Sequence, residues 1–169
     1  MIYITGDTHG DFRRVAAFCD TVNSTPEDTL IILGDAGINY YEDYRDVERK
    51  NLLSSLPITL FCIHGNHEAR PESTGLYRTE CWHGGTIFVE ETYPNILFAK
   101  DGEVFDLDGI QAIVIGGIDQ TTVDKSTEEW LDDIEEQLSY RKWYCGHYHT
   151  EKRIDKLEFM FENIKEFMP

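Results

Sequence analysis

The chain has 169 residues and a mass of 19.6 kDa, the size of one domain spanning 1–169. Hydrophobic residues make up 41% and charged residues 28%, a globular balance that excludes a disordered or fibrous chain. Against 15 Lys and Arg stand 32 Asp and Glu, for a formal charge of −17 with no local basic cluster, which excludes general attraction to a nucleic-acid backbone.

Taken in order, Ile2-Tyr3-Ile4 reads as a short strand ending in Thr5-Gly6-Asp7-Thr8-His9-Gly10. Asp11 to Val22 places Phe12, Val15, Ala16, Cys19 and Val22 on a helical stripe. Thr29 to Leu33 is a continuous β-rich run closed by Gly34-Asp35-Ala36-Gly37. Tyr44 to Leu56 reads as a helix stopped by Pro57, and Ile58 to Ile63 as a buried strand closed by His64-Gly65-Asn66-His67-Glu68. Strand, loop and helix recurring in this way imply parallel strands with right-handed crossovers. Pro71 to Cys81 reads as polar loop. Four β-type stretches follow, at Thr86–Val89, Ile96–Ala99, Glu103–Leu107 and Gln111–Ile115, with Asp108-Gly109 as a hairpin signal. Ser126-Thr127-Glu128-Glu129 is a capping box for a helix to about Leu138. Lys142–Cys145, closed by Gly146-His147-Tyr148-His149, and Leu157–Phe161 complete the strands.

The apolar runs are strand-length, too short to cross a bilayer, and the start of the chain lacks the features of a signal peptide. The cysteines (Cys19, Cys62, Cys81 and Cys145) lie far apart without a C-x-x-C pair. Reduced thiols in a cytoplasmic protein are therefore expected.

The polar residues cluster where the strands end. Five of the six histidines, His9, His64, His67, His147 and His149, occupy strand-end loops beside Asp7, Asp35 and Asn66. In open α/β sheets that edge is where ligands bind. Carboxylate, imidazole and amide donors together suit Mn²⁺, Fe, Ni²⁺ or Zn²⁺. No Ser-His-Asp or reactive-Cys arrangement offers a protein nucleophile.

Asp7-x-His9, Gly34-Asp35, Gly65-Asn66-His67-Glu68 and Gly146-His147-x-His149, in this order and each behind a strand, resemble the motifs of the calcineurin-like metallophosphoesterases. Trp82-His83-Gly84-Gly85 and Ile118–Lys125 are similar to small bacterial and phage-type members. The resemblance implies an α/β fold, a metallophosphoesterase-like β-sandwich flanked by helices, and a metal-dependent hydrolase of phosphate mono- or diesters. It implies two divalent ions: Asp7, His9 and His149 on the first, Asn66 and His147 on the second, and Asp35 shared. His67 would face the scissile phosphate and protonate the leaving oxygen. Arg70 is the nearest candidate for phosphate contact, since the Asp and Arg of the protein phosphatases' second motif are replaced by Ile38-Asn39-Tyr40. Glu68 is expected to orient a neighbouring histidine or backbone. Tyr40, Tyr41 and Tyr44 would form a substrate wall or cover a helix end.

One family feature is missing. Relatives carry a further ligand histidine between the third and fourth motifs, and here no histidine lies between His83 and His147. The break falls after Gly117, where relatives have a helix and the strand that delivers the histidine. The second site is then expected to be weak or empty, with His64 a remote substitute. The sheet would be shortened by one strand–helix segment, leaving it re-closed or with an exposed edge that invites a second copy of the chain. A small phosphorylated substrate or a phosphoprotein is the expected partner, with neither nucleic acid nor membrane. The alternative is an inactive remnant that serves as a metal-binding or interaction module.

Overall fold

The computed structural model describes residues 1–117 and 133–168. Strand β1 (Ile2–Thr5), helix α1 (Arg13–Val22), strand β2 (Thr29–Leu33), helix α2 (Tyr44–Ser54) and strand β3 (Thr59–Ile63) follow in the expected order. The strands pair parallel, β1 with β2 and β2 with β3. Both faces of these strands are buried, which is why they read as continuous apolar runs. Leu30, Ile32, Leu60 and Cys62 join Val15 and Cys19 of α1 and Leu53 of α2 in one core. Ile31, Phe61 and Ile63 point the other way, into a second core with Phe105, Leu107 and Met160. Helix α1 ends on Asn23 in the left-handed conformation, whose N–H donates to the Cys19 carbonyl, and the Asp43 side chain caps α2 by accepting from the Arg45 N–H.

Helix α3 (Pro71–Thr74) and strands β4 (Arg78–Trp82), β5 (Gly85–Val89), β6 (Ile96–Ala99), β7 (Val104–Leu107) and β8 (Ile110–Ile113) come next. Strands β9 (Trp143–Cys145), β10 (Lys152–Ile154), β11 (Leu157–Phe159) and β12 (Lys165–Glu166) end the chain. The large sheet has the order β12-β1-β2-β3-β6-β5-β4, with β12, β5 and β4 antiparallel to their neighbours. Asp108 and Gly109 make the β7–β8 turn with φ of 55° and 84°, the left-handed pair that a tight hairpin requires.

The result is an α/β sandwich. One face of the large sheet carries α1 and α2, and the other packs on a second layer. Among the described residues that layer comes as two separate pieces, the hairpin β7-β8 and the sheet β10-β11-β9. The Ile118–Lys125 motif and the capping box at Ser126 lie outside the described residues, while 133–137 are helical. Two expectations need correction. Pro71–Cys81 is not all loop, since it holds α3 and the edge strand β4, whose residues 78–81 are exposed and so carry no apolar alternation. Strands β10 and β12 were not expected, for similar reasons of shortness and exposure. No helix among the described residues is long and apolar enough to cross a membrane.

Candidate metal centre

The loops at the strand ends are tied to each other directly. The His9 and Gly10 N–H groups donate to the carbonyls of Asp35 (2.8 Å) and Ala36 (2.9 Å). The His67 N–H donates to Asp35 Oδ1 (2.8 Å), and the His147 N–H to Asp7 Oδ1 (2.7 Å). Convergence of the motif loops is therefore a property of the backbone as well as of the side chains.

Asp7 is 1% exposed, and its Oδ2 has no hydrogen-bond partner. That oxygen lies 3.7 Å from His9 Nε2 and 3.6 Å from His149 Nε2, and the two nitrogens are 2.8 Å apart. One donor atom from each residue thus falls within a 4.8 Å cluster. A buried carboxylate oxygen left unpaired costs about 1–3 kcal/mol or more. A divalent cation among these three atoms removes that cost, and the mixed oxygen and nitrogen set suits a transition metal. The residues fit the ion.

Backbone strain marks the same loops. His9, Asp35, His147 and His149 have φ of 47°, 34°, 68° and 46°, in the left-handed region that non-glycine residues seldom adopt. Gly146 is needed for a different reason. A Cβ there would collide with the Leu33 carbonyl oxygen and with Asp7 Oδ1, so the fourth motif loop reaches Asp7 only without a side chain at this position.

Two arginines that sequence reasoning did not single out shape the centre. From α1, Arg14 Nη2 donates to the carbonyls of Asp7 (2.7 Å) and Phe161 (2.9 Å), and the Phe161 ring stacks on His149 at 4.6 Å. Arg49 of α2 donates to the Gly37 carbonyl just past Asp35. The available signal was a basic residue on an amphipathic helix that follows a motif loop, which is too common to stand out.

The other expected residues are placed as follows. Asp35 is 2% exposed, with Oδ1 engaged by His67. Asn66 is half-buried, with Gly117 alongside its backbone, and His147 is exposed. The structure thus gathers Asp7, His9 and His149 into one donor set and sets Asp35, Asn66 and His147 on the adjoining loops. His67 shares a cavity of about 350 Å³ with His9 and Asp35, its ring centroid 6.4 Å from that of His9. Glu68 accepts from the Gly37 and Ile38 N–H groups, so it orients backbone. Burial pushes its carboxyl up to about 7 against those hydrogen bonds.

Arg70 donates to Asp101 Oδ2 (2.6 Å) and to the Gly117 carbonyl (3.0 Å). Arg49, rather than Arg70, lines the cavity. His64 is buried with Nδ1 unpartnered, and burial lowers its pKa; it falls outside the donor cluster. His83 is a loop residue whose Nδ1 meets the Asp106 carbonyl at 2.8 Å. Burial raises the Cys145 thiol to about 11, which keeps it protonated.

Residues 1–165 match the family model of the calcineurin-like phosphoesterases. No curated protein matches the chain. Among solved structures, the protein of unknown function AQ665 from Aquifex aeolicus is similar over 96% of this chain and 89% of that one, at 17% identity and a TM-score of 0.43. With the family match spanning nearly its whole length, the chain belongs to the calcineurin-like phosphoesterases.

Proposed function

We propose that this protein hydrolyses phosphate mono- or diesters with the help of bound divalent metal. The observation that carries the reading is the buried, unpartnered Asp7 Oδ2 facing the Nε2 atoms of His9 and His149. These three residues would hold one ion. Asp35, Asn66 and His147 would hold a second, with Asp35 shared between the two. Divalent ions bound there supply Lewis acidity toward phosphate oxygens and make water a usable nucleophile near neutral pH. Mn, Fe, Ni and Zn all suit these donors.

His67 would protonate the leaving oxygen. Its backbone is fixed by Asp35, and its ring opens to the cavity without joining the donor cluster. An imidazole is suited to proton transfer near pH 7. The acidic chain favours small or locally basic substrates over long polyanions.

A second reading, a remnant that binds one ion or none without turnover, is favoured by the missing ligand histidine. Metal analysis and cleavage of p-nitrophenyl phosphate separate the two. Nearly two ions per chain with manganese-stimulated cleavage supports the hydrolase. No ion, or one ion without turnover, supports the remnant.

A further inference from the structure

The cavity that His67 shares with His9 and Asp35 is also lined by Tyr40, Tyr41 and Arg49. Among its described lining residues Arg49 alone carries a fixed positive charge, in a lining that also includes Asp35 and Glu68. Arg49 is half-buried and wedged between two motif loops. A Cβ on Gly10 would strike its guanidinium carbon, while its Nη1 donates to the Gly37 carbonyl. A guanidinium has five N–H donors in a planar fork, so this single bond leaves donors for a phosphate. Arg70, the alternative read from sequence, spends Nη1 and Nη2 on Asp101 and Gly117.

The tyrosines form a fixed wall on the same cavity. Their rings meet edge to face at 4.8 Å. Arg45 lies over the Tyr41 ring at 3.6 Å, and Arg49 is 5.7 Å from it. The loop is anchored from below: the Tyr41 and Glu42 N–H groups both donate to Asp46 Oδ2, at 2.9 and 2.7 Å, and Asp46 is buried. Tyr40 nevertheless stays 54% exposed. An exposed aromatic ring on a preorganised loop costs little entropy when a planar group stacks on it. The cavity volume of about 350 Å³ sits at the lower end of small-molecule sites.

We propose that Arg49 holds the substrate phosphate, and that Tyr40, backed by Tyr41, receives the ester group, selecting small phosphoesters with a planar, apolar leaving group. The substrate class rests on the phosphoesterase reading above; the phosphate-holding role of Arg49 does not require turnover.

Calorimetric titration of inorganic phosphate into the manganese-loaded protein tests Arg49. Arg49→Ala should weaken phosphate binding by about tenfold or more, and Arg49→Lys, which keeps charge without the fork, by about three- to tenfold. Binding by either variant within about twofold of the parent overturns the assignment, and Arg49→Lys keeps the test open if Arg49→Ala misfolds. For the wall, Tyr40→Ala should lower kcat/KM for p-nitrophenyl phosphate about fivefold more than for glycerol 2-phosphate; equal losses overturn it. Arg49-dependent phosphate binding without cleavage of either ester would uphold the arginine's role while ending the hydrolase reading. Cleavage of both esters with phosphate binding indifferent to Arg49 would do the reverse.

Discussion

His9 Nε2 and His149 Nε2 approach to 2.8 Å across 140 residues of chain. Neither belongs to the same strand-end loop, and both face the unpartnered Oδ2 of Asp7. Without an ion, one ring must donate a proton to the other while the carboxylate oxygen goes unsatisfied. A cation shared by all three would satisfy every one of these atoms.

Removing one of these donors should therefore act on metal before chemistry. His9→Ala and His149→Ala are expected to weaken manganese binding by at least the roughly 10–100-fold that even outer-shell losses cause, read by titration against a chelator. Asp35→Asn should abolish activity and lower the metal count together. His67→Ala should keep its ions and lose about 10²–10⁴ in turnover; equal metal loss in the Asp35 and His67 variants would refute that division of roles.

Arg14 acts at one remove. Its guanidinium joins the Asp7 carbonyl to that of Phe161, and Phe161 stacks on His149. Arg14→Met keeps the apolar stem and removes the donors. Thermal and denaturant unfolding should show a loss of about 1.5–3 kcal/mol, and metal affinity should fall by about tenfold. An unchanged metal affinity would show that Phe161 positions itself.

Gly146→Ala tests the close approach of the fourth motif loop to β2 and Asp7. Because the added carbon meets the Leu33 carbonyl as well as the Asp7 side chain, the loop must move. The expected cost is about 1–3 kcal/mol of stability, together with loss of metal binding. Wild-type metal binding in this variant would contradict the packing described.

Glu68 sets a pH dependence. Its carboxyl is raised from 4.5 to about 7, chiefly by burial. Between these values the folded protein keeps a proton that the unfolded chain has released. Stability of the metal-free protein should accordingly fall as pH rises from about 4.5 to about 7, and level off above. Urea unfolding of chelator-treated protein across this range checks the slope, which Glu68→Gln should flatten.

Much of this arrangement was legible in the chain. The β1, β2 and β3 runs announced themselves because both faces are buried, and the Asp108-Gly109 turn because its φ values demand such residues. The clustering of Asp, His and Asn at the strand ends was readable from the residues, while the grouping of Asp7, His9 and His149 into one donor set came from the resemblance to the family. Other parts left no trace. The edge strand β4 carries Arg78, Thr79, Glu80 and Cys81 in exposed positions, so nothing alternates. The left-handed backbone of His9, Asp35, His147 and His149 is imposed by neighbouring loops rather than by residue type. Nothing in the spacing of Arg14 and Arg49 marks them, because their contacts with the Asp7, Phe161 and Gly37 carbonyls arise only when the topology brings α1 and α2 to the motif loops.

Anomalous scattering from manganese-soaked crystals would locate the ion itself. A peak coordinated by Asp7 Oδ2, His9 Nε2 and His149 Nε2 is expected. A crystal with no peak there, or with manganese bound only elsewhere, would contradict a metal centre at these residues.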